Sequence, residues 1–200
     1  MPNEVTTRER ILEATYACVA RHGLDRTTLE DVARECDLSR ATIYRVFPAG
    51  RDDLLREVVV WEMGRFFGQL AEAVAGAPDF ASLVEEGLRF ARAALTEHAV
   101  LQTVLLTEPE RLLPLMTVES ERPLRFIVEY LIPFLEREES AGRLRPGVSV
   151  TDAAEYTGRL LLSLIGSPGT WDLTDPIQTR VLVREHLLAG IITPEALGSP

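Results

Sequence analysis

The sequence predicts an all-α protein of about nine helices. Apolar residues recur at helical spacing along almost the whole chain. Helix-capping residues and glycine or proline stops fall between the periodic stretches. No Val-rich alternation argues for strands, and no repeat of 20 to 50 residues is visible.

The elements follow in order. Thr6-Thr7-Arg8-Glu9 has the Thr-x-x-Glu pattern of a capping box. Ile11, Ala14, Cys18 and Val19 then mark one inner face, and Gly23 is a natural stop. A second helix is expected after Thr28, with Leu29, Val32 and Ala33 inward, ending near Glu35. Ser39 suits the cap of a short third helix reaching about Val46. Pro48-Ala49-Gly50 breaks the chain. From Arg51 to about Val74 a long amphipathic helix buries Leu54, Leu55, Val58, Trp61 and Leu70. Gly76-Ala77-Pro78 ends it. Another helix fits 80–96, with Leu83, Gly87, Phe90 and Ala94 inward, and a short one fits 99–106. Pro109 and Pro114 punctuate an irregular stretch. A helix fits about Ser120 to Ser140, where Pro133 costs a turn hydrogen bond and can bend the axis. Residues 142–147 form a loop. Helices then fit 150–165 and 176–190, the second with Pro176 in the favoured first turn.

Composition narrows the function. The 200 residues carry 21 basic groups, every one an arginine, against 31 acidic ones, for a net charge of −10. With 46% hydrophobic residues the chain is too apolar for intrinsic disorder. Its acidity excludes nucleic-acid binding by bulk charge. Two cysteines, Cys18 and Cys36, are too few for a disulfide framework. No secretion signal or membrane-spanning run is apparent, so a cytoplasmic protein is expected. The acidity is uneven. Residues 1–56 hold nine arginines against ten carboxylates, a net of −1. Residues 57–200 hold twelve against twenty-one, a net of −9. That shift supports a domain boundary near residue 50, dividing the chain into 1–50 and 51–200.

Catalytic and metal chemistry find no support. His22, His98 and His186 lie far apart without metal-ligand spacing to a cysteine or to each other. No glycine-rich phosphate loop or Gly-x-Ser-x-Gly elbow occurs. No catalytic residue, metal or cofactor is therefore expected. Cys18 reads as core, and Cys36, in a turn, as partly exposed.

The chemistry lies in residues 27–54. A short helix, the turn Cys36-Asp37-Leu38 and a second short helix give helix-turn-helix spacing. Val32, Ala33, Leu38, Ile43 and Phe47 form one apolar set that fixes the angle between the helices. The opposite face shows Arg40, Ala41, Thr42, Tyr44 and Arg45. Arginine can fork onto guanine, threonine and alanine can meet a thymine methyl, and tyrosine can donate to phosphate. By residue type alone the segment is also a plain helical hairpin, since polar outer faces are common.

The order of residues separates these readings. Thr27-Thr28, Val32-Ala33, Leu38-Ser39, Ile43-Tyr44, Phe47, Arg51 and Leu54-Leu55 resemble the tetracycline-repressor (TetR) family of bacterial regulators over roughly residues 8–56. The resemblance implies an N-terminal three-helix DNA-binding domain followed by a helical domain for ligand binding and dimerisation. Arg40, Ala41, Thr42 and Arg45 would face base edges, and Thr28, Ser39 and Tyr44 would hold phosphates. Thr27 is counted with this set. Arg51 stands where the family usually has a lysine near the phosphates. Three departures stand out. Asp37 fills the usual glycine of the turn, where aspartate tolerates a left-handed backbone. Val46 replaces a frequent His or Tyr, and Pro48-Ala49-Gly50 resembles a longer linker variant.

The resemblance further implies a homodimer on double-stranded operator DNA, a repressor released by a small apolar or amphipathic effector, and no membrane partner. The last two long helices would form the dimer interface through Tyr156, Leu160, Leu161, Leu164, Val181, Leu182 and Leu188. On sequence alone these residues serve an intrachain core equally well. Candidate effector contacts are Trp61, Arg65, Phe90, Met116, Phe126 and Tyr130, although an aromatic stripe at helical spacing is more often ordinary core. Arg65 is expected to pair with a nearby glutamate, Glu62 or Glu72.

Overall fold

The computed structural model describes residues 6–98, 100–102 and 121–198. It is helical throughout, without strands among the described residues. The helices are α1 (Thr7–His22), α2 (Leu29–Glu35), α3 (Arg40–Val46), α4 (Arg51–Val74), α5 (Phe80–Glu97), α6 (Glu121–Ser140), α7 (Val150–Gly166), α8 (Pro176–Val181) and α9 (Pro194–Leu197). The helix expected at 99–106 lies largely outside the described residues, as do Pro109, Pro114 and Met116.

Close contacts divide the chain into two units. The first comprises residues 1–69 and 97–113, the second 70–96 and 114–200.

The first unit begins with the expected capping box. The Glu9 amide donates to the Thr6 hydroxyl at 3.2 Å, and the Thr6 amide returns a bond to the Glu9 carboxylate at 2.8 Å. Gly23 ends α1 at a φ of 80°. Its core gathers Ile11, Leu12 and Cys18 from α1, Val32 and Ala33 from α2, Ile43 and Phe47 around α3, and Leu54 and Val58 from α4. The apolar set expected from the sequence is present, with Leu38 half-buried at its edge. Cys36 departs from expectation: it is buried, not partly exposed, because the turn packs its side chain back under α2. Burial pushes its thiol pKa up, which disfavours the reactive thiolate.

The second unit is built on α5, α6, α7 and the α8 region. The inner face of α5 is Phe80, Ala81, Leu83, Val84, Leu88 and Ala91. Of the expected face only Leu83 is fully buried, while Gly87, Phe90 and Ala94 are half-buried. α6 runs through Pro133, which stands on its exposed side. α7 packs closely on α6 at Gly158. A Cβ there would stand 3.1 Å from Leu124 Cδ1 and 3.3 Å from Ile127 Cγ2.

The helix expected at 176–190 changes pitch part-way. After α8 the chain widens into a π-helix over Leu182–Leu187, and the Leu188 amide donates five residues back to the Val183 carbonyl at 2.8 Å. Leu182 and Leu187, and Val183 and Leu188, are pairs five apart, and all four are buried. The widening turns both pairs toward the interior. Leu182 and Leu188 are therefore core residues of their own chain, and their expected place at a dimer interface is corrected. Arg184, in the same segment, donates to Glu85 at 2.6 Å, to Ser82 at 3.2 Å and to the Leu197 carbonyl, tying α5 and α9 to it.

Replacing Gly158 tests the α6–α7 packing. Gly158→Leu overfills the contact and is expected to cost about 1–3 kcal/mol of stability in urea unfolding.

Candidate nucleic-acid interface

The helix-turn-helix is assembled by local hydrogen bonds before any tertiary packing is counted. Thr28 caps α2: the Asp31 amide donates to its hydroxyl at 3.2 Å, and the Thr28 amide donates to the Asp31 carboxylate at 3.1 Å. The Thr28 hydroxyl also donates to the Asp31 carboxylate at 2.5 Å, and this bond, followed by that of the Thr28 amide, holds the Asp31 carboxyl below its ordinary pKa. The far end of α2 closes with a left-handed residue. Asp37 has a φ of 51°, its amide donates to the Arg34 carbonyl at 3.4 Å, and the Leu38 amide donates to the Ala33 carbonyl at 3.0 Å. This double closure turns the chain sharply at the end of a helix. Aspartate accepts the left-handed backbone expected at that position.

α3 starts at Ser39, whose hydroxyl accepts from the Thr42 amide at 3.1 Å and lies 3.0 Å from the Thr42 hydroxyl. Ile43 and Phe47 are wholly buried, so the opposite side of α3 must face outward. On that side Arg40, Ala41, Tyr44 and Arg45 are exposed and Thr42 is half-exposed. The Arg40 guanidinium sits 3.9 Å from Glu30 of α2, with both groups open to water. Such a pair is worth at most about 1 kcal/mol and is readily exchanged for a phosphate or base. The Tyr44 ring lies beside Gly50, which has a φ of 83°.

Two residues of the expected DNA-contact set lie elsewhere in the architecture. Thr27 is buried, its hydroxyl donating to the Gly23 carbonyl at 2.7 Å. Arg51 donates to the carbonyls of Thr27 at 2.7 Å, Asp25 at 3.0 Å and Leu24.

Sequence reasoning missed a set of arginines that fasten the head together. Arg8 lies over the Phe47 ring at 4.8 Å and pairs with Glu57, joining α1 to α3 and α4. Arg10 donates to the Cys36 carbonyl at 2.9 Å, and Arg21 pairs with Glu35. Each joins α1 to α2 or to its turn. Their signal in the sequence is only that they stand on the first helix, outside the reading segment.

The expected effector contacts are divided between the two units. Trp61 and Arg65 belong to the first unit, whereas Phe90, Phe126 and Tyr130 belong to the second. Arg65 pairs with Glu62 at 3.2 Å and covers the Trp61 ring at 4.8 Å, the ion pair expected of it. The same Glu62 receives His98 Nε2 at 3.3 Å, and His98 Nδ1 accepts from the Leu101 amide at 3.0 Å. Tyr16 stacks edge-on against Trp61 and His98. Its hydroxyl pKa is raised by burial and then by the Glu62 carboxylate. In the second unit Tyr130 lies half-buried against Phe134, its pKa raised by burial. Of the expected dimer residues, Tyr156 is exposed and Leu160, Leu161, Leu164 and Val181 are half-buried.

The sequence model of the family described as "Bacterial regulatory proteins, tetR family" matches residues 11–58, the span just built. That span, about a quarter of the chain, is what is similar to the family. An uncharacterised HTH-type transcriptional regulator of Mycobacterium tuberculosis is 41% identical over 63 residues, covering 26% of this chain and 33% of the relative. The match thus spans only a third of that relative's length. In fold the chain is similar to SmeT in complex with triclosan, with a TM-score of 0.64, 22% identity, and 97% and 95% of the two chains covered. It is also similar to the TetR family repressor AlkX of Dietzia, with a TM-score of 0.60, 22% identity, and 92% and 96% covered.

Two substitutions test the turn. Asp37→Gly removes the left-handed penalty and is expected to raise stability by up to about 1 kcal/mol, while Asp37→Val is expected to lose about 1–2 kcal/mol, both read from urea midpoints. The capping carboxylate of α2 carries a pH signature. Its folded pKa lies below the ordinary aspartate value, so its stabilisation is present above that ordinary value and lost as pH falls through the folded pKa. Asp31→Asn is therefore expected to flatten the acid limb of thermal stability measured from pH 5 downward.

Proposed function

We propose that this chain is a transcriptional regulator of the TetR family that reads double-stranded operator DNA with α3. The observation that carries the reading is the split of α3 itself. Ile43 and Phe47 anchor one side in the core, while Arg40, Ala41, Thr42, Tyr44 and Arg45 stand on the other. Arg40, Ala41, Thr42 and Arg45 address base edges, and Ser39, Tyr44 and Thr28 address phosphates. Residues 1–50 form the reading head, and 51–200 serve ligand binding and dimerisation.

The regulator acts as a homodimer, matching two half-sites about 34–36 Å apart on one side of the duplex. Exposed Tyr156 and Ile177, and half-buried Leu160, Leu161, Leu164 and Val181, offer the apolar surface for pairing. It is a repressor released by a small apolar or amphipathic molecule. The similarity to SmeT bound to triclosan, a repressor of a multidrug efflux pump, supports that class of effector. The regulator works in a bacterial cytoplasm without catalysing a reaction. Among the described residues no helix is long and apolar enough to cross a membrane.

Fluorescence anisotropy with the duplex upstream of its own gene tests the reading. Specific binding is expected at a Kd of about 10⁻⁸ M or tighter. The double variant Arg40→Ala, Tyr44→Ala should lose at least 30-fold in affinity, as expected for about 1–3 kcal/mol per lost contact, with an unchanged sedimentation coefficient. Wild-type affinity in the double variant would remove α3 from the reading.

A further inference from the structure

A guanidinium offers five N–H donors in a rigid fork. In Arg51 most of them are already spent inside the protein. Nε–H donates to the Thr27 carbonyl at 2.7 Å. Nη2 donates to the Asp25 carbonyl at 3.0 Å and to the Leu24 carbonyl. Nη1 donates to the Asp52 carboxylate at 3.0 Å. The Arg51 side chain is only 32% exposed.

The three carbonyls belong to the loop between α1 and α2. Gly23 opens that loop in the left-handed region, and Thr27 closes it by hanging its buried hydroxyl on the Gly23 carbonyl. Thr27 thus pins the loop to itself, and Arg51 fastens it to the first residue of α4. The very next residue after the loop, Thr28, caps α2, and α2 is the floor on which α3 packs. A cation beside the carbonyls that follow α1 is also favoured by the dipole of that helix. A lysine ammonium is a point donor on a thin stem and cannot serve carbonyls spread over four residues while keeping a planar fork.

We propose that Arg51 is a positioning residue: it fastens the α1–α2 loop to α4, sets the seat of α2 beneath the reading helix, and is not itself a phosphate ligand. The inference rests on the DNA-reading function proposed above, and two measurements on Arg51→Lys and Arg51→Gln separate their failures. Both variants are first checked for folding by circular dichroism, and Arg51→Lys alone suffices if Arg51→Gln does not fold.

The first measurement is hydrogen exchange on the free protein. The amides of residues 23–29 are expected to exchange at least tenfold faster in the variants, with residues 60–69 unchanged. Unchanged exchange at 23–29 overturns the clamp. The second is duplex affinity against salt concentration. Positioning predicts that both variants lose at least tenfold in affinity with the wild-type salt slope. Wild-type binding by Arg51→Lys, or a slope flattened by about 0.9 in Arg51→Gln, identifies a direct phosphate contact and overturns the proposal. Faster exchange with wild-type binding in both variants also overturns the positioning role. If the wild-type protein binds no duplex, the DNA-reading function fails, and the exchange result still decides the clamp.

Discussion

A helix of seven residues is too short to persist by itself in water. α3 is such a helix, and it exists because Ile43 and Phe47 are sealed in the core of the first unit. Everything the head presents outward depends on that burial. Phe47 is held from above by Arg8 and from the side by residues of α1, α2 and α4. Each neighbouring element thereby fixes the rotation of α3 about its axis. A slip of one residue would move Ile43 to the surface and turn Arg40 or Tyr44 inward, at the cost of exposing a large apolar side chain and burying a polar one.

The charge of the chain takes on a different meaning once the arginines are placed. An acidic protein of net −10 cannot approach DNA by bulk attraction. The head is nearly neutral, and many of its cations are engaged with the protein itself. Arg8, Arg21, Arg34 and Arg56 pair with carboxylates, and Arg10 and Arg51 with backbone carbonyls. Arg40 has a long, exposed contact with Glu30, at 3.9 Å. Arginine thus serves the head in two ways. Its fork ties loops and helices together where several acceptors converge, and it stays available where α3 faces outward. Lysine suits the first task poorly, because a point charge cannot serve several diverging acceptors at once.

Much of this was legible in the sequence because it is written in local chemistry. Thr6 with Glu9, Ser39 before α3, Gly23 after α1 and the span of α4 follow from capping and periodicity alone. Asp37 was readable as a left-handed turn residue from its side chain. What escaped reading depends on contacts between distant segments. That Arg51 reaches the loop carbonyls of residues 24–27 is invisible until the fold brings them beside it. Cys36 looks like an exposed turn residue until α2 covers it. The inner face of α5 was read one stripe away, since Gly87 and Ala94 fit either face of a helix with small residues all round. The π-helix left a signal that a 3.6-residue period overlooks: two apolar pairs, Leu182 with Leu187 and Val183 with Leu188, spaced by five.

An NMR titration of isotope-labelled protein with an operator duplex tests the reading face most directly. Amide shifts centred on Ser39 to Arg45, with a weaker set around Thr28, are expected. Saturable binding that leaves residues 39–45 unshifted would contradict the role given to α3.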